Sequence, residues 1–114
     1  MPNSPEAEDA FTRIYDALLP DGIERTQMFG RPALTIDGKI FACLSEGVFG
    51  VKLRTDPDAY NAAMQELGSQ PFTPGAKGRT FGGWVGFDTA HENAWLPMAR
   101  IALAAMQRHL AAAG

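Results

Sequence analysis

With 114 residues, 46% of them hydrophobic and 20% charged, the chain suits one domain, residues 1–114, around one buried core. A net charge of −3 and a pI of about 5.2 exclude a global pull toward nucleic acid or anionic membrane. One cysteine excludes an intramolecular disulfide framework, no apolar run approaches the roughly 20 residues of a membrane span, and the acidic N-terminus has no signal-peptide character, so a cytoplasmic location is expected.

Ser4-Pro5 reads as an N-cap followed by proline at the first helical position, and Glu6, Glu8 and Asp9 complement the positive end of the helix dipole. Ala7, Phe11, Ile14, Tyr15 and Leu18 recur at helical spacing, which predicts a helix over about residues 5–19. Pro20-Asp21-Gly22 stops it. Ile23 to Phe29 reads as a first strand or an extended lead-in, and Gly30 interrupts the chain before a three-strand meander from Pro32 to Leu53. Asp37-Gly38 signals a two-residue hairpin turn, because both central residues must accept positive φ. Ser45-Glu46-Gly47 reads as a three-residue turn closed by a left-handed glycine.

These turns set Ile36 opposite Lys39, Leu34 opposite Phe41, Leu44 opposite Val48 and Cys43 opposite Phe49. Cross-strand neighbours share a face. One face then carries Leu34, Ile36, Phe41, Cys43, Phe49, Val51 and Leu53 and is expected to meet the core. The other carries Ala33, Thr35, Ile40, Ala42, Leu44, Val48, Gly50 and Lys52 and is smaller and mixed.

Asp56-Pro57 restarts a helix, with Tyr60, Ala63, Met64 and Leu67 as its apolar stripe and Gly68 as its end. Residues 71–75 are extended or turning, 76–79 form a basic loop, and Phe81 to Phe87 is a glycine-laced strand carrying Trp84. Asn93 caps a final helix to about Ala112, with Pro97 in its first turn. Its stripe is Met98, Ile101, Ala102, Ala105, Met106 and His109. Strands grouped in a meander between helices indicate an α+β fold, with helices packed on one face of an antiparallel sheet.

The chemistry is sparse. No phosphate loop and no dinucleotide fingerprint is present. His91-Glu92 begins like a zinc-protease helix but lacks the second histidine, and two histidines with one cysteine make no metal set. Cys43, mid-strand on the expected core face, reads as a small hydrophobe. No carboxylate pair stands out, so no catalytic residue, metal or cofactor is assigned. Charge is segregated, with −5 over residues 1–24 and +3 over residues 25–54. Arg31, Lys52, Lys77 and Arg79 are the candidate anion-facing patch, set against an ordinary solvated surface. Met28, Phe29 and Trp84 fit either core or ligand platform.

Met28-Phe29-Gly30, Asp37-Gly38-Lys39-Ile40-Phe41-Ala42, Val51-Lys52, Pro71-Phe72, Lys77-Gly78-Arg79 and Trp84-Val85 resemble, in order and spacing, the N-terminal domain of TfoX/Sxy proteins over about residues 8–110. The resemblance implies an α-β-β-β-α-β-β-α fold, similar to secretion-chaperone-like and YjbR-like domains. It also implies a non-enzymatic regulatory module that binds a protein partner, because the founding members regulate natural competence together with other factors. The family often has a second glycine after Met-Phe-Gly; here that position is Arg31. The regulators carry a further C-terminal domain, and this chain is expected to stand alone. The alternatives are a nucleic-acid or anion-binding domain using the basic patch and a small-molecule enzyme or sensor with a pocket near Trp84. A homodimer is expected as well. The smaller sheet face, and Leu96, Leu103 and Leu110 lying off the stripe of the last helix, leave more apolar surface than a monomer usually exposes.

Overall fold

Three short turns decide the architecture. Phe29-Gly30, Asp37-Gly38 and Glu46-Gly47 place both of their residues at positive φ, 53° and 75°, 50° and 77°, and 53° and 77° respectively. Two consecutive positive φ values give a turn whose twist matches that of the strands it joins. The computed structural model describes residues 3–73 and 81–113. Its strands are β1 (Glu24–Met28), β2 (Arg31–Ile36), β3 (Lys39–Ser45), β4 (Val48–Lys52), β5 (Gln70–Pro71) and β6 (Trp84–Phe87). They form one antiparallel sheet in the order β1-β2-β3-β4-β6-β5. The helices are α1 (Pro5–Leu18), α2 (Pro57–Met64) and α3 (Trp95–Ala113). The α+β order expected from the sequence is found, with β1 as a full strand.

The register differs from the expected one in two places. The second turn of the meander has two residues, so Ser45 pairs with Val48 and Leu44 with Phe49. In addition, β3 carries a bulge against β2. Thr35 pairs with Ile40 but Leu34 pairs with Ala42, which leaves Phe41 as the extra residue. Phe41 and Ala42 consequently both join the main core, and the alternation beyond them is shifted by one. Ala42 and Leu44 belong to the core face, and Cys43 to the other. The two departures cancel in β4, where Phe49 and Val51 face the core as expected.

The helices cover only this face. Phe11, Ile14 and Leu18 of α1 and Trp95, Met98, Ala102, Leu103 and Met106 of α3 pack with Leu34, Phe41, Leu44, Phe49, Val51, Val85 and Phe87. Phe49 is the centre of this layer: Trp95 stacks on it at 5.2 Å, and Phe11 meets it edge-on at 6.1 Å. The α1 cap is as expected, with the Ser4 hydroxyl accepting from the Ala7 amide at 3.2 Å.

Three details of the helices depart from expectation. First, α2 stops at Met64 because the Ser69 hydroxyl donates to the Met64 carbonyl at 2.9 Å and the next amides bond three residues back. Leu67 is therefore exposed instead of joining the stripe. Second, residues Thr89–Ala94 form a 3-10 turn, so α3 begins at Trp95. His91 lies in that turn, bonded to the Asp88 carboxylate at 2.9 Å. Third, α3 is rotated from the expected stripe: Leu103 is buried, while Ile101 and His109 are exposed. Asp56 caps α2 and receives Arg108 of α3 at 2.6 Å, tying the two helices together.

Candidate interaction surface

The sheet face turned away from the helices is built in three rows, read from the strand pairing. Arg31, Ser45 and Val48 form one end. Ala33, Cys43, Gly50 and Gly86 form the middle, and Thr35, Ile40, Lys52 and Trp84 form the other end. The middle row has no large side chain, so it is a trough. Phe72, carried in by β5, fills one half of it. A Cβ on Gly50 would lie 2.5 Å from the Phe72 ring and one on Gly86 3.4 Å from it, so glycine is required for the ring to lie flat on the strands.

Phe72 begins an aromatic ladder. Trp84 stacks on it at 5.4 Å with 19° between the planes. Phe81 meets Phe72 and Trp84 edge-on at 6.4 and 5.8 Å, and Phe29 meets Phe81 edge-on at 6.1 Å. Burial falls steeply along the ladder. Phe72 is 1% exposed and Trp84 4%, Phe81 is half-buried, and Phe29 is 72% exposed. Met28, beside Phe29, is half-buried against the same cluster. Phe29 occupies the first, left-handed position of the β1–β2 turn, where a bulky side chain is strained. The following Gly30 completes the turn and Gly38 does the same at the next one.

Of the expected basic residues, the two that are described, Arg31 and Lys52, stand apart. Arg31 stands at one end of the face, its Nε donating to the Ser45 hydroxyl at 2.8 Å. Lys52 stands at the other end, two rows away, with Lys39 and Arg54 as its cationic neighbours. Burial, then Arg54, then Lys39 hold the Lys52 ammonium below its ordinary pKa. Arg54 also donates to the Gly82 carbonyl at 3.0 Å, which fixes it beside the start of β6. Lys77 and Arg79 lie outside the described residues.

Cys43 is sealed at the centre of the face. Burial pushes its thiol up to about 12, against a smaller opposing pull from Arg31. A thiol held neutral in this way is no nucleophile at neutral pH. Among the described residues no group of three His, Cys, Asp or Glu could hold a metal ion, and no helix is long and apolar enough to cross a membrane. Two clefts open beside β1, one toward α1 and one on the sheet face, and Trp84 lines neither. Sequence reasoning missed Phe72 and Phe81 as parts of one platform with Trp84. The available signal was the pair of strand glycines, Gly50 and Gly86, which leave room for a ring.

The family model of the TfoX N-terminal domain matches residues 17–108, most of the chain. No curated protein and no solved structure matches it.

Proposed function

The chain belongs to the TfoX N-terminal domain family, and from that premise we propose that it is a non-enzymatic regulatory module that binds a protein partner in the cytoplasm. The observation that carries this reading is Phe29. A large aromatic ring is 72% exposed at the tip of a two-residue hairpin turn, in a backbone conformation that costs about 1–2 kcal/mol for an L-residue. Strain and exposure at one residue are disfavoured for folding, and such outliers concentrate at binding sites. Exposed aromatic anchors backed by a packed support are the usual energetic centres of protein interfaces. Phe81, Phe72 and Trp84 supply that support here. The test is affinity capture with the wild-type chain beside Phe29→Ala. A specific partner retained by the first and weakened at least tenfold by the second is expected. Capture of no specific protein, or equal capture by both, would overturn the reading.

A second reading, anion or nucleic-acid binding, is favoured by one observation, that Arg54 and Lys39 lie close enough to Lys52 to act on its charge. Phosphate contacts predict affinity that falls steeply with salt. Fluorescence anisotropy with labelled DNA and RNA at low salt tests it, and no binding there removes it.

A further inference from the structure

We propose that a second copy of this chain pairs with the outer edge of β1, the two β1 strands running antiparallel about a twofold axis at Thr26 and joining the two sheets into one. This goes beyond the partner reading above, since Phe29 lies outside the paired residues. The two ends of the sheet are unlike. One is β5, with two residues, one of them Pro71, which offers no backbone donor. The other is β1, with five residues and no proline, and residues 24–27 of it are exposed. An exposed edge strand is a template for another strand.

The β1–β2 turn fixes which backbone groups face outward. A two-residue turn is closed by a hydrogen-bonded pair, here Met28 and Arg31, and such pairs alternate along an antiparallel ladder with pairs that exchange no bond. Met28, Thr26 and Glu24 therefore turn their N–H and C=O groups toward β2, and Gln27 and Arg25 turn theirs outward. Pro32, which has no amide, sits opposite Gln27, as this parity allows. An antiparallel copy can pair outward residues only with outward residues. The one such register that overlaps the whole of β1 sets Arg25 opposite the second copy's Gln27, Gln27 opposite its Arg25 and Thr26 opposite its Thr26. The two halves of the junction are then identical, and the threonines meet in a non-hydrogen-bonded pair, the closer kind.

Charge selects a second copy as the occupant. The clefts beside β1 hold Glu8, Arg25 and Arg31 on the α1 side and Glu24 and Arg25 on the other, so each copy brings two charges of each sign. Among the described residues none of these four is in an ion pair. Arg25 donates instead to the Thr12 hydroxyl at 3.1 Å, and Arg31 to the Ser45 hydroxyl. Glu8 lies one turn before Thr12 on α1, so it shares the stripe that faces β1, and it lines the same cleft as Gln27. The pairing places the second copy's Arg25 opposite Gln27 and so beside Glu8, and the twofold axis repeats this ion pair. Each copy supplies the charge that the other leaves unpaired.

Sedimentation equilibrium of the full chain is the first test. Five residues a side make a small contact, so a dimer with a Kd of about 100 μM is expected. Amide exchange at Arg25 and Gln27 should slow as protein concentration rises, while that at Glu24 and Thr26, already bonded to β2, changes little. Glu8→Arg and Arg25→Glu should each weaken association about tenfold, because each sets like charges across the junction. An equimolar mixture of the two variants should associate as the wild type does, since every charge then meets its opposite. Gln27→Pro removes an outward amide and should give a monomer that keeps a cooperative unfolding transition. Three results overturn the proposal: a wild-type monomer at about 1 mM, which leaves the edge to a foreign strand, concentration-dependent protection away from β1, or no gain in association on mixing the two charge variants.

Discussion

Phe29 and Cys43 sit on one sheet face and have opposite fates, one open and strained, the other sealed and inert. Asparagine tolerates the left-handed conformation that Phe29 holds, so Phe29→Asn relieves about 1–2 kcal/mol of strain and loses an edge contact worth about 0.5–1.5 kcal/mol. Its urea midpoint should equal or exceed that of the wild type. A loss above about 1 kcal/mol would make Phe29 a folding residue instead. For Cys43, the folded thiol ionises near 12 and the unfolded one near 8.5 as a rough reference. The folded state holds the proton more tightly, so this contribution is complete below the unfolded pKa and is lost as pH rises toward the folded one. Native protein should resist thiol reagents at pH 8 and react on unfolding. Cys43→Ala should show a shallower fall in stability over that alkaline range. Rapid labelling of the native thiol would contradict its burial.

At the scale of strands, Phe72 on Gly50 is a side-chain contact that adds to the β4–β6 pairing in holding β5 and β6 to the meander. Gly50→Ala forces the ring away and should cost about 1–3 kcal/mol, the usual penalty of overpacking. The same change in a Phe72→Ala background should cost much less, and a double-mutant cycle by urea unfolding reads the difference. Equal costs in both backgrounds would mean that the ring is not seated on Gly50. This contact also marks where reading the sequence stops. Asp37-Gly38, the Ser4-Pro5 cap and the spacing of α1 are local signals, and the elements they predict are present. The bulge at Phe41 has no local signal, because it depends on how β3 fits β2. Glu46 in a left-handed turn is unusual for its type, which is why the turn reads as three residues long. The platform of Phe72, Phe81 and Trp84 was hidden for the same reason: its members meet only after β6 has returned to β4. The helix face was legible because apolar periodicity marks it, whereas the rotation of α3 is set by what it packs against.

Across the whole molecule, two of the positions that suggested a homodimer lie inside the fold, while Ile40, Val48, Leu96 and Leu110 are half-buried. Ala42 is fully buried and Leu103 is 4% exposed, both in the core shared by the sheet and the helices. Ala42→Arg and Leu103→Glu should therefore abolish the cooperative unfolding transition, since an unpaired buried charge is among the largest destabilising changes. A folded monomer from either variant would return that surface to the outside. The three glycine-closed turns have a kinetic consequence. Strands β1 to β4 close onto one another through loops of two residues, so their contacts are local and form quickly. The chain leaves β4 at Lys52 and meets it again only at Trp84, a far longer closure with a larger entropic cost. The meander is then one cooperative unit, and the β5–β6 flap is a second that docks late and opens first. Native-state exchange should release the β6 amides at a lower free energy than those of β3, and equal values would make the sheet a single unit. Each opening of the flap carries Phe72, Trp84 and Gly86 away from β4, so a partner gripping the aromatic ladder would also latch the last part of the fold to assemble.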